Sequence, residues 1–72
     1  MLAIEHIRRN ILKVSQARLA EIARTTQTTV SRWEHGEMHP RLPELTRIRD
    51  EVYQSGAKWE DAWFFEAPGD AA

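Results

Sequence analysis

No cysteine occurs among these 72 residues, and that pairing of small size with no possible disulfide constrains the fold more than any motif does. A chain this short buries only about 60% of the surface it exposes when unfolded. It has neither a disulfide framework nor a thiolate metal site to hold it together. It must therefore close one apolar core, with a net stability of roughly 4–10 kcal/mol. Hydrophobic residues make up 42% of the chain, enough for one such core. The expected organisation is one domain over residues 1–65 and a disordered polar tail over 66–72. The longest apolar run is too short to span a bilayer, and no signal peptide precedes the first charges. A soluble intracellular chain with no membrane partner is the expectation.

Strands have little support, because β-branched residues never alternate with polar ones over a useful length. The helical period is clear instead. Ile4, Ile7 and Ile11 share one face of a first helix over about residues 2–12. Ser15 caps a second helix, whose narrow apolar stripe is Leu19, Ala20 and Ala23. Thr26 caps a third helix over about 27–35, and Gly36 ends it. Proline opens a fourth helix over about 43–54, with Leu45, Ile48 and Val52 facing inward. A short aromatic segment over about 59–65 makes a fifth. The predicted fold class is all-α, with five short helices.

The formal net charge is −1, which taken alone argues against a polyanionic partner. The average conceals a split. Residues 1–41 hold seven basic and four acidic side chains, a balance of +3. Residues 42–72 hold three basic and seven acidic ones, a balance of −4. Such asymmetry points to a polar partner on one side of the molecule.

The third helix leaves two readings open on its pattern alone, a Thr-rich surface helix or a face that meets such a partner. At about 100° per residue, Val30 and Trp33 fall within roughly 60° of each other. Gln27, Thr28, Ser31, Arg32 and His35 lie on the opposite side. A merely solvated face favours Glu, Lys and Gln, the better helix formers. Thr and Ser form helices less well, so their presence suits a hydrogen-bonding role. Base edges in a major groove need such groups. Gln pairs bidentately with adenine, Arg with guanine, and a Thr methyl touches a thymine methyl.

The order of features carries a resemblance. The run Ser15-Gln16-Ala17-Arg18-Leu19-Ala20-Glu21-Ile22-Ala23 is followed by Arg24-Thr25-Thr26-Gln27-Thr28-Thr29-Val30-Ser31-Arg32-Trp33-Glu34-His35-Gly36. It resembles the helix-turn-helix of the lambda-repressor/Cro-like family, often called XRE. Ser15, Gln16, Leu19, Ala20, Thr26, Val30, Ser31, Trp33, Glu34, Gly36 and Pro40 match the family pattern in register, and Leu45 and Ile48 match its fourth helix. The resemblance covers about residues 4–65 and implies a sequence-specific double-stranded DNA-binding regulator with helix-turn-helix at helices 2 and 3. It implies base readout by Gln27, Thr28, Ser31 and Arg32, and backbone contacts from Gln16, Thr26, His35 and Arg41. It also implies that Glu34 pairs with an arginine of the first helix, with Arg8 and Arg9 both open. Three positions depart from the pattern. Arg24 stands where the family has its turn glycine, and must accept strain or reshape the turn. Arg49 stands where a small apolar residue is usual, and Ile22 occupies a normally polar site.

Other constellations carry less. His35, Glu37 and His39 are close in sequence but straddle Gly36 and lack the i, i+4 geometry of a zinc site, so no metal or other cofactor is expected. No nucleophile–base–orienter set appears, so no enzyme is expected. Tyr53, Trp59, Trp63, Phe64 and Phe65 place five of six aromatics in thirteen residues. Trp63, Phe64 and Phe65 are consecutive and cannot all face inward on a helix. With acidic residues around them, Trp59, Trp63, Phe64 and Phe65 read as a homodimer surface, which suits an inverted-repeat operator. The expectation is a cytoplasmic, bacterial or phage-encoded repressor. The competing reading is a protein-interaction module or antitoxin-like co-regulator that binds a partner protein through the aromatic end.

Overall fold

The computed structural model describes residues 2–64, and the elements among them are all helical. Helix α1 spans Ala3–His6 and continues without a break into a π-helical turn over Ile7–Leu12. Helices α2 (Gln16–Ala23), α3 (Gln27–Glu34) and α4 (Leu42–Gln54) follow, and a 3-10 turn covers Asp61–Phe64. The class agrees with the sequence reading, while two elements differ. The first helix changes type halfway. The fifth is a single 3-10 turn rather than a helix over 59–65. Trp59 accounts for the second difference: it is 8% exposed, and the non-helical chain ahead of the turn carries it into the core. Helix then restarts only at the Trp63 N–H···O=C Glu60 bond.

The core gathers one stripe from each helix. Ile4 and Ile7, then Leu19, Ala20 and Ala23, Val30 and Trp33, and Leu45, Ile48 and Val52 close around one centre with Trp59. Trp33 and Val30 are 1% and 0% exposed, which fixes the rotation of α3 about its own axis. The alanines of α2 leave room for the neighbouring helices, and α2 packs against both α3 and α4. Replacing Trp33 by a small residue would remove one of the largest buried side chains of the domain.

The helix ends carry the expected chemistry. Ser15 Oγ accepts from the Arg18 N–H at 3.1 Å, and Thr26 Oγ1 from the Thr29 N–H at 3.2 Å. The Glu44 carboxylate accepts from the Arg41 N–H at 2.8 Å, which opens α4. At the end of α3, Gly36 has φ +77, and the Glu37 and Gly36 N–H groups bond to the Arg32 and Trp33 carbonyls. The end of α2 repeats this pattern: Thr25 and Arg24 N–H groups bond to the Ala20 and Glu21 carbonyls, with Arg24 at φ +61. Both are Schellman motifs. Arg24 therefore takes the left-handed conformation expected of a turn glycine and accepts its strain, about 1–2 kcal/mol for a residue with a Cβ.

The proposed tail over 66–72, Phe65 and the Phe64 side chain lie outside the described residues.

Candidate nucleic-acid interface

The helix-turn-helix is assembled from α2, the three-residue turn Arg24–Thr26, and α3. Burial of Val30 and Trp33 turns the other face of α3 outward. Gln27, Thr28, Arg32 and His35 are exposed, and Ser31 is half-buried at the edge of the same face. The four residues expected to read bases thus share one accessible side of one rigid helix. Arg32 makes no side-chain hydrogen bond or ion pair within the described residues, so its five N–H donors remain available.

The residues expected at the DNA backbone stand differently. Thr26 Oγ1 is occupied as the α3 cap and lies 3.0 Å from Thr29 Oγ1. Gln16 is not free at the head of α2, because its Nε2 donates to Glu34 Oε1 at 3.0 Å. Its second amide hydrogen is what it has left to offer. The His35 ring is fixed by its own helix. A carbonyl only accepts, so Nδ1–H donates to the Ser31 carbonyl at 2.7 Å, and Nε2 is the ring nitrogen with no partner among the described residues. Arg41 lies at the entry to α4, exposed, and its guanidinium makes no ion pair within the described residues.

Glu34 is the centre that ties these parts together. Arg8 donates to both of its oxygens, from Nε to Oε2 and from Nη2 to Oε1, the second at 3.0 Å. The remaining Arg8 nitrogen, Nη1, donates to the Val14 carbonyl at 3.1 Å. The side chains of Arg8 and Glu34 are only 11% and 6% exposed. This settles the alternative left by the sequence: Arg8 is the partner, and Arg9 pairs with Glu5 one turn back at 3.1 Å. Burial by itself raises the Glu34 pKa, but hydrogen bonds from Arg8 and Gln16 and the charges of Arg8 and Arg9 outweigh it, so the carboxyl sits below its ordinary value. The Glu34 hydrogen bond raises the Arg8 pKa against the effect of burial. One carboxylate thus links the last residue of α3 to the first helix, to the link before α2, and to the first residue of α2.

A second tie was invisible in the sequence. Arg47, on α4, donates from Nη1 to the Ala23 carbonyl at 3.0 Å. Ala23 is the last residue of α2, so Arg47 braces the turn from behind. A conserved spacing would not reveal this bond, because its partner is a backbone carbonyl 24 residues away. The two other departures are absorbed locally. Ile22 packs against the core, and Arg49 lies 5.9 Å from the Tyr53 ring centre.

The aromatic end divides. Trp59 belongs to the core of its own chain and offers little surface to a partner. Trp63 is half-buried, edge-on to Trp59 at 4.9 Å and to His6 at 5.9 Å between ring centres. Leu2, Met38 and Pro40 border a shallow apolar cleft beside it. Among the described residues, no three His, Asp or Glu side chains converge as a metal site. Nor is any helix among the described residues long and apolar enough to cross a membrane.

Comparison with known proteins gives one result. No match was found among curated proteins or among solved structures. A family model described as helix-turn-helix matches residues 6–50, more than half of the chain, from the first helix through most of α4. The match begins just before Arg8 and takes in Gln16, the turn, α3 and Arg47. The chain belongs to the helix-turn-helix family of lambda-repressor/Cro-like proteins and is a DNA-binding regulator of the XRE type.

Proposed function

We propose that this protein is a repressor that binds an inverted-repeat operator as a homodimer, with α3 of each protomer in the major groove. The observation that carries this reading is the outward face of α3, where Gln27, Thr28, Ser31 and Arg32 stand together because Val30 and Trp33 are buried behind them. A helix of this width fits the groove, and these side chains match the donors and acceptors of base edges. Arg32 is the reader of a guanine and Gln27 of an adenine. Gln16, Thr26, His35 and Arg41 set the register on the phosphates. The Glu34 tie supports the mechanism, since it holds the reading helix and the head of α2 as one body.

Trp63, followed in sequence by Phe64 and Phe65, is the proposed dimer contact. Half-exposed Trp63 and the apolar cleft next to it support this end as the interface. Two protomers then present two copies of α3 to one face of the duplex, about one helical turn apart. Balanced charge makes non-specific binding weak, so affinity depends on base contacts and on dimer geometry.

Selection of bound sites from a random DNA pool tests the proposal most directly. The expected result is a two-fold symmetric site with half-sites roughly 10 bp apart. On that site Arg32→Ala relaxes preference at one base pair per half-site, at about 1–3 kcal/mol. Equal binding of Arg32→Ala to every operator variant removes Arg32 as a base reader. No enrichment of any site, and no gel shift at low salt, favours the protein-interaction module instead.

A further inference from the structure

Two non-glycine residues among those described have positive φ: Lys13 at +56 and Arg24 at +61. Both are cations, both are exposed, and neither side chain has an ion pair or hydrogen bond within the described residues. They occupy equivalent places. Lys13 closes the first helix two residues before the α2 cap Ser15, and Arg24 closes α2 itself, two residues before the α3 cap Thr26. Helix α2 between them is about 12 Å long. Glycine takes this backbone conformation freely, and an L residue does not. A side chain at such a position, exposed and without an intramolecular partner among the described residues, is available to a ligand.

We propose that Lys13 and Arg24 are a pair of DNA-phosphate contacts that bracket α2, one at each end. The proposal rests on the DNA-binding reading and adds two contacts to it. Left-handed backbone ends each helix sharply and leaves the next residues extended, so each cation stands at a corner of the chain rather than along a helix flank. Arg47 supports the Arg24 corner through the Ala23 carbonyl, which leaves the Arg24 guanidinium free. Because α2 lies beside α3 in a helix-turn-helix, cations at its two ends reach toward the sugar-phosphate walls on either side of the reading helix. The helix carries Arg18 paired to Glu21, so the strained corners, not the α2 flank, supply the free positive charge there.

The test uses the full chain and a mixed-sequence 30-bp duplex, since phosphate contacts carry no sequence information. Affinity is measured by fluorescence anisotropy across a salt series. Each neutralised phosphate contributes about 0.9 to the slope of log affinity against log salt. Lys13→Gln and Arg24→Gln are each expected to lower that slope by about 0.9 per bound protomer and to weaken binding several-fold in low salt. The double variant lowers it by about 1.8. The swaps Lys13→Arg and Arg24→Lys keep the wild-type slope. Glycine variants at both positions relieve the backbone strain, so they test the same loss of charge in chains that fold at least as well. An unchanged slope in the glutamine and glycine variants overturns the proposal, and loss at one position alone overturns the pairing. A wild-type chain that neither binds this duplex at low salt nor enriches any site from the random pool overturns the DNA-binding reading itself, a result separable from the others.

Discussion

The ends of α2 and α3 are the same structure built with different residues. Both close in a Schellman motif, with a left-handed residue and two backbone bonds back into the last turn. In both, a residue just before the left-handed position is tied to an arginine distant in sequence: Glu34 to Arg8 at the end of α3, and the Ala23 carbonyl to Arg47 at the end of α2. They differ at the left-handed position, which is Gly36 in one and Arg24 in the other. At Gly36 the backbone requirement is met without strain. At Arg24 the same backbone is imposed on a residue that resists it, and what holds it there is the surrounding structure. The difference teaches that the turn glycine of such a motif is a convenience of local energetics, not a geometric necessity, provided a neighbouring helix supplies a brace.

The largest way to break this comparison is to remove the α3 tie. Glu34→Ala leaves Arg8 buried with no carboxylate, and a loss of about 3–5 kcal/mol is expected in urea denaturation. The same tie sets the acid response. Glu34 has a lowered pKa in the folded chain, so its contribution is fully present above the unfolded carboxylate value of about 4.3 and is lost as pH falls through the folded value. Melting curves from pH 7 to pH 3 should show a steeper acid loss for wild type than for Glu34→Gln. Parallel curves would mean that this carboxylate does not govern acid sensitivity.

Removing the α2 brace comes next. Arg47→Met keeps much of the stem and removes the charged hydrogen bond, an expected loss of about 1.5–3 kcal/mol. The comparison predicts that this loss shrinks when Arg24 is already glycine, because the brace then has less strain to oppose. A double-mutant cycle measures that coupling, and simple additivity would show that the two act independently.

The smallest effects exchange the two left-handed residues. Gly36→Ala should cost about 1–2 kcal/mol through its backbone alone, since the added Cβ would meet Leu2 Cδ1 at an ordinary 3.6 Å. Arg24→Gly should do the opposite. Relief of strain exceeds the added chain entropy of glycine by under about 1 kcal/mol, and the melting temperature rises slightly. A fall in melting temperature at Arg24→Gly would show that the arginine side chain stabilises the free protein.

Much of this architecture was legible before any coordinates. The caps at Ser15 and Thr26 and the stop at Gly36 are decided within a few residues, so local sequence specifies them. The burial of Val30 and Trp33 followed from helical spacing, and with it the outward face of α3. Three features were not legible, for one shared reason. The Gln16–Glu34 bond, the Arg47–Ala23 bond and the burial of Trp59 each depend on chain segments distant in sequence, and no periodicity encodes them. The choice between Arg8 and Arg9 is intermediate. Arg8 lies beside Ile4, Ile7 and Ile11 on the buried face, whereas Arg9 stands i+4 from Glu5 and is drawn outward.

The π turn over Ile7–Leu12 has a consequence for how this chain tolerates change in length. Each π hydrogen bond spans one more residue than an α bond does. The turn therefore takes up extra chain in width, while the face that presents Ile7 and Arg8 stays in place. Upstream of Ser15, deletion of one residue is therefore expected to convert the π turn to α and leave Ile7 and Arg8 in place. Between Ser15 and Gly36, where the caps, the core positions and the outward face are fixed in register with one another, the chain has no such margin.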